Sequence, residues 1–341
     1  MRNKKINVLL NVLIILIVLS VVLYFSLKDN YEEIMHAILT MNNWWIIIAI
    51  LFFCSYRILI GFSNYNIVKI NEEKISLLKS IQINFIILFF HGVTPFAGGG
   101  QPMEIYYLHN EKINVTKATN ITLQNFIVYQ VSLVIVGTMA LIYNYFFPLF
   151  PSNSLIKRLV ILGFAINMLV LVVTYILSFG KRINKFICNQ GLNLLSKLKL
   201  VKNVDEVREK LNKYLVNFHS NALKLKKNKL QMFFNILIDI LAILVLYMVP
   251  YAVLKGMNIN SVSLIDAIVS TAYVMTIGSF VPIPGGTGGI EYGFIFFFGH
   301  LIAGSVLNAS MLVWRFITYY LGMILGAIFL ALYRKKEKTC E

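Results

Sequence analysis

Long apolar runs recur along this chain and limit what it can fold into. Six of them hold about 20 or more mostly apolar residues, at about 6–27, 44–66, 118–147, 156–180, 231–254 and 308–333. Because a helix rises about 1.5 Å per residue, each run can cross a hydrocarbon core about 30 Å thick. The sequence therefore predicts an all-α polytopic membrane protein, with residues 1–341 forming a single integral membrane domain.

The composition argues against a soluble protein. Hydrophobic residues make up 58% of the chain and charged residues 13%, against roughly 45–50% and about 25% in soluble domains. The formal net charge is +16, but basic residues fall between the apolar runs, where they indicate topology and contact with anionic lipid. We expect no direct nucleic-acid partner. Cys54, Cys188 and Cys340 have no metal-ligand spacing, so we expect no metal and no cofactor.

The distribution of basic residues predicts the orientation. Arg2, Lys4 and Lys5 keep the start of the chain inside. Segment 181–230 holds thirteen Lys or Arg residues and three acidic ones, which predicts a basic amphipathic cytoplasmic segment. The tail after the last run is also basic, so both termini should lie on the cytoplasmic side of a bacterial inner membrane. Segment 28–43, on the outside, is predicted to form a short interfacial helix.

Two further apolar regions, 80–110 and 264–303, are interrupted by Gly and Pro. A single crossing by either region would put the basic segments on opposite sides of the membrane. Each region must therefore return to the side from which it came, either as a re-entrant helical hairpin or as two short crossing helices. We predict two re-entrant hairpins beside about six full transmembrane helices. Irregular backbone at membrane depth survives only inside protein or beside a wet cavity, so both tips should be internal.

The interrupted regions share a motif, P-x-x-G-G-x-x-x-x-E. It runs from Pro95 to Glu104 and again, 187 residues later, from Pro282 to Glu291. The shared glutamate and the constant offset make this match more specific than Gly and Pro alone, which are common in turns.

The offset predicts an internal repeat. Repeat 1 covers about 44–147 and repeat 2 about 231–333, with helix 156–180 and segment 181–230 between them. The predicted topology gives the two repeats opposite orientations. Inverted repeats with interrupted helices are a recurring transporter plan, in which the substrate binds between the repeats.

Glycine at the tips lets the chain turn tightly and lets backbone N–H groups approach a ligand. A short helix should follow each tip, with Pro102 well placed as the first residue of the first one. Its N-terminus could bind an anion such as a phosphate, although the tips could also be bends that packing requires. The predicted tip residues are Pro95, Gly98, Gly99, Gly100, Pro102, Pro282, Pro284, Gly285, Gly286, Gly288 and Gly289.

Charged and polar residues within apolar segments form the predicted substrate pathway: Glu104, Glu291, Arg315, Arg57 and Gln101. A charge at membrane depth costs about 2.5–3.5 kcal/mol on insertion scales, so such residues usually serve a pathway or a pair. Both glutamates could instead cap their own helices. Arg315 could pair with Glu291 or extend to the headgroups, and Arg57 should have an internal partner or a wet cavity.

The remaining ionisable groups in apolar segments receive simpler interpretations. Asp239 and Asp266 are placed near the starts of their helices, where carboxylates complement the helix dipole, with a pathway role as the alternative. His91 and His300 flank the interrupted regions and are interpreted as packing residues. We expect no catalytic residues, because no nucleophile–base pair or phosphate-binding loop is recognisable.

Two segments together resemble a known family. GVTPFAGGGQPMEIY (92–106) and FVPIPGGTGGIEYG (280–293), followed by Trp314 and Arg315, are similar to the lysylphosphatidylglycerol synthase transmembrane-domain family. This is the flippase-like membrane part of the bacterial multiple peptide resistance factor, and the resemblance covers nearly the whole chain. It implies a bundle that moves aminoacylated or related phospholipids between leaflets and supports resistance to cationic peptides.

The full-length resistance factors also carry a soluble domain that transfers lysyl groups to phosphatidylglycerol. Residues 334–341 leave no room for such a domain, so we expect no enzyme in this chain. We predict a flippase- or scramblase-like translocator of phospholipids, with aminoacylated phosphatidylglycerol as one candidate. The alternatives are the membrane component of a phosphatidylglycerol lysyltransferase and an ion-coupled small-solute carrier. As further partners, a separate lipid aminoacyl-transferase and a second copy of the chain stay open.

Overall fold

The computed structural model describes residues 31–94, 98–150, 154–180, 228–278, 281 and 283–337, with a few isolated residues between 181 and 227. The predicted first span at 6–27, the motif prolines Pro95 and Pro282, and most of segment 181–230 lie outside the described residues. Within them, every regular element is a helix, which confirms the all-α part of the predicted fold class.

The helices of the first part of the chain are α1 (Tyr31–Leu39), α2 (Asn43–Ile70), α3 (Leu77–Val93), α4 (Gly100–Asn110), α5 (Val115–Phe146) and α6 (Ser154–Phe179). Those of the second part are α7 (Lys229–Tyr247), α8 (Val249–Gly256), α9 (Leu264–Gly278), α10 (Gly289–Phe298), α11 (Ser305–Arg315) and α12 (Leu321–Glu337). A π-helical turn, Phe316–Tyr320, joins α11 to α12.

Among the described residues, five helical stretches are long and apolar enough to cross a membrane: Asn43–Ile70, Val115–Phe146, Arg158–Ile176, Lys229–Gly256 and Ser305–Tyr333. They coincide with five of the six predicted spans. The chain is therefore a multi-pass membrane protein. Helices α4 and α10, with 11 and 10 residues, fall well short of the roughly 20 residues that a crossing needs.

The interrupted regions each form a pair of short helices that pack against each other, α3 with α4 and α9 with α10. The first helices of the two pairs begin at Leu77 and Leu264, at the 187-residue offset of the shared motif. One detail of the prediction is wrong, because α4 begins at Gly100 and Pro102 is its third residue. The backbone of Gly99, with φ −78° and ψ −16°, is already right-handed helical, so the helix starts before the proline.

The two parts of the chain pack closely through α2 with α7, α3 with α12 and α5 with α9. Gly326 of α12 lies close to the backbone of α3 in the second contact. A Cβ at Gly326 would lie 2.8 Å from the carbonyl oxygen of Phe85 and 2.7 Å from the backbone nitrogen of Phe89, so any larger residue would push the helices apart. The rings of Phe85 and Phe329 stack beside it, with centroids 4.9 Å apart.

Helix α1 occupies most of the segment for which a short interfacial helix was predicted. It packs against α11 and buries Ile34 completely. The polypeptide then turns at Asn42, whose side chain accepts a hydrogen bond from the Trp44 backbone at 3.0 Å and caps α2. Helix α1 thereby covers the second part of the chain, near the residues of the candidate site.

Candidate functional site

A buried ion pair joins the second hairpin to α11. Arg315 Nε donates to Glu291 Oε1 at 2.7 Å, and the two side chains are 6% and 8% exposed. Next to them, the rings of Phe294 and Trp314 stack with centroids 4.9 Å apart. Of the two alternatives for Arg315, the internal pair is therefore the one that forms.

Glu291 also caps its own helix. The Gly288 backbone N–H donates to Glu291 Oε2 at 2.6 Å, which satisfies one of the free N–H groups at the start of α10. Both oxygens of this carboxylate are thus held by protein groups, one by the cap and one by the arginine.

Arg315 also holds the hairpin tip. Its Nη2 donates to the Gly285 carbonyl oxygen at 3.1 Å and to Thr287 Oγ1 at 3.4 Å. Gly285 has φ +67°, a left-handed conformation that glycine adopts without a Cβ penalty. The guanidinium lies over the Tyr319 ring, 4.6 Å from its centroid. Tyr319 in turn donates its hydroxyl to the Gly92 carbonyl oxygen at 2.9 Å, so the π-turn connects both hairpins.

Glu104 has different surroundings. It is 8% exposed, and Asn125 Nδ2 donates to its Oε1 at 2.6 Å. Unlike α10, α4 has no capping box, and the Gly99 N–H donates to the Thr94 hydroxyl, so the capping alternative does not apply to this glutamate. Among the described residues it forms no ion pair, although Arg57 lines the same cavity.

Arg57 is buried, with 6% of its surface exposed. Its Nη2 donates to the Asn84 carbonyl oxygen at 2.6 Å, and its guanidinium lies 5.2 Å from the Tyr56 ring centroid. The predicted internal partner is thus a backbone carbonyl of α3, which leaves the positive charge of Arg57 without a directly bonded anion among the described residues.

A cavity of about 400 Å³ brings most of the predicted pathway together. The predicted residues in its lining are Arg57, Gln101, Glu104 and Arg315. Glu291 does not line this cavity and is connected to it through its ion pair with Arg315.

Four side chains of the lining have a buried polar atom without a hydrogen-bond partner: Arg57 Nε, Asn84 Oδ1, Thr122 Oγ1 and Asn125 Oδ1. Buried polar groups are nearly always satisfied by protein, water or ligand. Both donors and acceptors are unmatched here, so the cavity can hold a polar or charged group of either sign.

A second cavity, of about 630 Å³, shares Arg315 with the first. Apart from Arg315 and Glu291, its lining is nearly all apolar and includes Met35 and Ile38 of α1 and Ile46 of α2. One charged residue therefore lines both a polar space and an apolar one.

The described tip glycines fall into two groups. Gly285, Gly286 and Gly288 have positive φ angles, and Gly285 and Gly288 bond the ion pair, whereas Gly99 precedes α4 with a right-handed helical backbone. The Gly99 N–H donates to the Thr94 hydroxyl at 2.9 Å, which closes the first tip.

Sequence reasoning missed several residues of this site. Asn84, Thr122 and Asn125 are polar residues inside predicted helices, which was the signal that could have revealed them. Tyr319 carried no such signal, because tyrosine is common in membrane helices. The placement of Asp239 was wrong. It is the eleventh of the 19 residues of α7 and is 2% exposed, so it lies beyond the first turn, where the helix dipole acts.

Helices that span a membrane, short paired helices between them, and charges held at an internal cavity define a polytopic membrane protein with an interior polar site. The chain belongs to the family described as lysylphosphatidylglycerol synthase TM region, whose sequence profile matches residues 8–326. This confirms the family that the motifs predicted. A relative, the UPF0104 membrane protein of Archaeoglobus fulgidus, is 24% identical over 318 residues, which cover 88% of this chain and 90% of that protein.

Proposed function

We propose that this protein moves phospholipids between the leaflets of a membrane, as a flippase or scramblase. The observation that carries the proposal is that Arg315 lines both a polar and an apolar cavity. A phospholipid has a charged headgroup attached to apolar chains, and it needs adjoining spaces of both kinds. A small polar solute would need only the first.

The polar cavity would receive the headgroup. Arg57 offers an unmatched Nε donor, and guanidinium groups bind phosphate well because their N–H donors match its geometry. Glu104 and the free oxygens of Asn84 and Asn125 offer acceptors for hydroxyl or ammonium groups. Headgroups that combine a phosphate with such donors, including aminoacylated phosphatidylglycerol, are therefore the candidate substrates.

The test is headgroup-resolved lipid movement in liposomes that contain the purified chain. Fluorescent phospholipids with anionic, zwitterionic and aminoacylated headgroups would be followed with an impermeant quencher. We expect faster movement of at least one of them, and Glu104→Gln should abolish most of the acceleration. Glu111→Gln is the matched control, because Glu111 ends the same helix, pairs with Lys79 at 3.0 Å and does not line the cavity.

Folded protein that accelerates no phospholipid would contradict the proposal. Saturable uptake of a small solute under those conditions would favour the carrier alternative. Formation of lysylphosphatidylglycerol from charged tRNA by this chain would favour the enzyme alternative. Each outcome is measured on the same preparation.

We also propose the setting in which the protein acts. Both termini face the cytoplasm of the inner membrane, a separate lipid aminoacyl-transferase supplies the substrate, and the translocated lipid lowers sensitivity to cationic peptides. A cysteine at Ser261 should react with an impermeant reagent from outside the cell, and one at Asn203 should not. Cells without the protein should be more sensitive to cationic peptides, and the wild-type chain should restore resistance.

A further inference from the structure

A second buried polar cluster lies where α2 packs against α7. It consists of Ser63 and Asn66 from α2 and of Asn235 and Asp239 from α7. Asn66 Nδ2 donates to Asn235 Oδ1 at 3.1 Å, and the Ser63 hydroxyl lies beside the Asp239 carboxylate. None of these four residues lines either cavity, so the cluster is separate from the proposed headgroup site.

Asp239 has an unmatched oxygen in this cluster. Its Oδ1 accepts no hydrogen bond, although the side chain is 2% exposed. A carboxylate in such a place is paired with a cation or neutralised, because leaving it bare costs far more than a hydrogen bond returns. Among the described Lys, Arg and His residues, none forms an ion pair with Asp239.

On the helices around Asp239, no described cation is its counter-ion, because each has another partner or lies in the first turn of its helix. Arg57 is bonded to the Asn84 carbonyl oxygen, Lys69 lies over the Tyr65 ring, Lys117 pairs with Glu73, Lys255 is bonded to Asn260, and Lys229 lies in the first turn of α7. Asp266, in the first turn of α9, is itself an anion, and the hydroxyls of Tyr56 and Tyr129 bond each other at 3.1 Å. No described side chain therefore supplies the missing positive charge, and a cation from solution can supply it.

We propose that Asp239 binds an exchangeable monovalent cation, a proton or Na⁺, at the α2–α7 contact. Hard cations prefer oxygen ligands, and Ser63 and Asp239 supply a hydroxyl and a carboxylate side by side. Because α2 and α7 belong to different predicted repeats, the bound cation fixes how the two halves fit together.

The experiment is thermal unfolding of the purified full-length protein in detergent. One arm varies Na⁺ against choline at constant alkaline pH, and the other varies pH without Na⁺. A ligand that binds only the folded state raises Tm with its concentration. In the arm that supplies the physiological cation, we expect a rise of about 2–4 °C for each tenfold increase above the Kd.

Asp239→Asn should remove this response, because the amide cannot hold either cation, and its Tm should stay near that of the cation-saturated wild type. Asp266→Asn is the matched control and should keep the full response, since Asp266 lies in the first turn of α9. If Asp239→Asn yields no folded protein, Ser63→Ala decides. It should weaken the apparent Na⁺ affinity at least severalfold in the Na⁺ arm, or shift the pH at the midpoint of the Tm change in the pH arm.

A wild-type protein whose Tm changes in neither arm would overturn the proposal. A response that persists in both Asp239→Asn and Ser63→Ala would do the same. The measurement requires no lipid movement, so its result is independent of whether the protein translocates lipid.

Discussion

Glu104 and Glu291 occupy the same position of a repeated motif but have opposite surroundings. One carboxylate oxygen of Glu291 accepts a hydrogen bond from Arg315 Nε at 2.7 Å, and the other accepts one from the Gly288 N–H at 2.6 Å. Glu104 accepts a hydrogen bond from Asn125 Nδ2 at 2.6 Å, lines the polar cavity and forms no ion pair with a described residue. The same motif thus holds one hairpin together and offers a charge to a cavity in the other.

The arginines explain the difference. Arg315 has no counterpart in the first half, where the position 187 residues earlier is Val128. Arg57 has none in the second half, where the matching position is Leu244. The two halves therefore received their positive charges on different helices. One arginine bonds its glutamate directly, while the other is held by the carbonyl oxygen of Asn84 at 2.6 Å and influences Glu104 only through space.

The largest expected effect is on the stability of the second half, where Glu291 is held by Arg315. Arg315→Met should lower the free energy of unfolding by about 3–5 kcal/mol, because it leaves a buried carboxylate without its partner. Thermal unfolding in detergent measures this loss. Glu104→Gln is the comparison and should change stability by less than about 1 kcal/mol, since glutamine still accepts the Asn125 hydrogen bond. Equal losses in both variants would erase the distinction between the halves.

The next effect concerns lipid transport through the polar cavity of the first half, which Glu104 lines. Arg57→Gln should slow the movement of phospholipids about 10- to 100-fold, which corresponds to losing one charge-assisted hydrogen bond of about 1.5–3 kcal/mol. The liposome assay measures it. Lys69→Gln, at the exposed end of the same helix, should move lipid at the wild-type rate. Unchanged transport by Arg57→Gln would remove this residue from the headgroup site.

A smaller effect should distinguish the two tips. Gly285→Ala should destabilise the protein by about 1–2 kcal/mol, because an L-residue resists the left-handed backbone. Its Cβ would also lie 2.3 Å from the Tyr319 ring. Gly99→Ala should cost less, since Gly99 already has a right-handed helical backbone with φ −78°. Chemical unfolding of both variants gives the comparison, and a greater loss in Gly99→Ala would mean that the first tip is the more constrained one.

The smallest expected effect tests the link between the halves. Tyr319→Phe removes the hydrogen bond to the Gly92 carbonyl oxygen and keeps the ring under Arg315. We expect a loss of about 0.5–1.5 kcal/mol in stability, measured by thermal unfolding. Tyr320→Phe is a control, because Tyr320 lies in the same π-turn without such a bond to the first hairpin among those described. A loss as large as that of Arg315→Met would show that the link is as important for stability as the ion pair.

Much of the candidate site was visible in the sequence. The rarity of charge in apolar runs singled out Arg57, Glu104, Glu291 and Arg315, and helical rise made the pair of Glu291 with Arg315 feasible. Asn84 and Asn125 were missed, since a single amide in a helix is as often a packing residue as a ligand. Asp239 was misplaced because a residue about two turns into its predicted span was treated as lying near the start of the helix. The inverted orientation of the repeats and the re-entry of the hairpins stay predictions.

The sequence by itself determined that the chain is a helical membrane protein, because apolar runs about 20 residues long have few other ways to satisfy their backbone. It also determined where the helices break, because glycine and proline set those points locally. Only the tertiary structure decided which glutamate is held in an ion pair and which lines a cavity. That depends on which helix brings an arginine within about 3 Å, a distance fixed by packing between segments far apart in the chain.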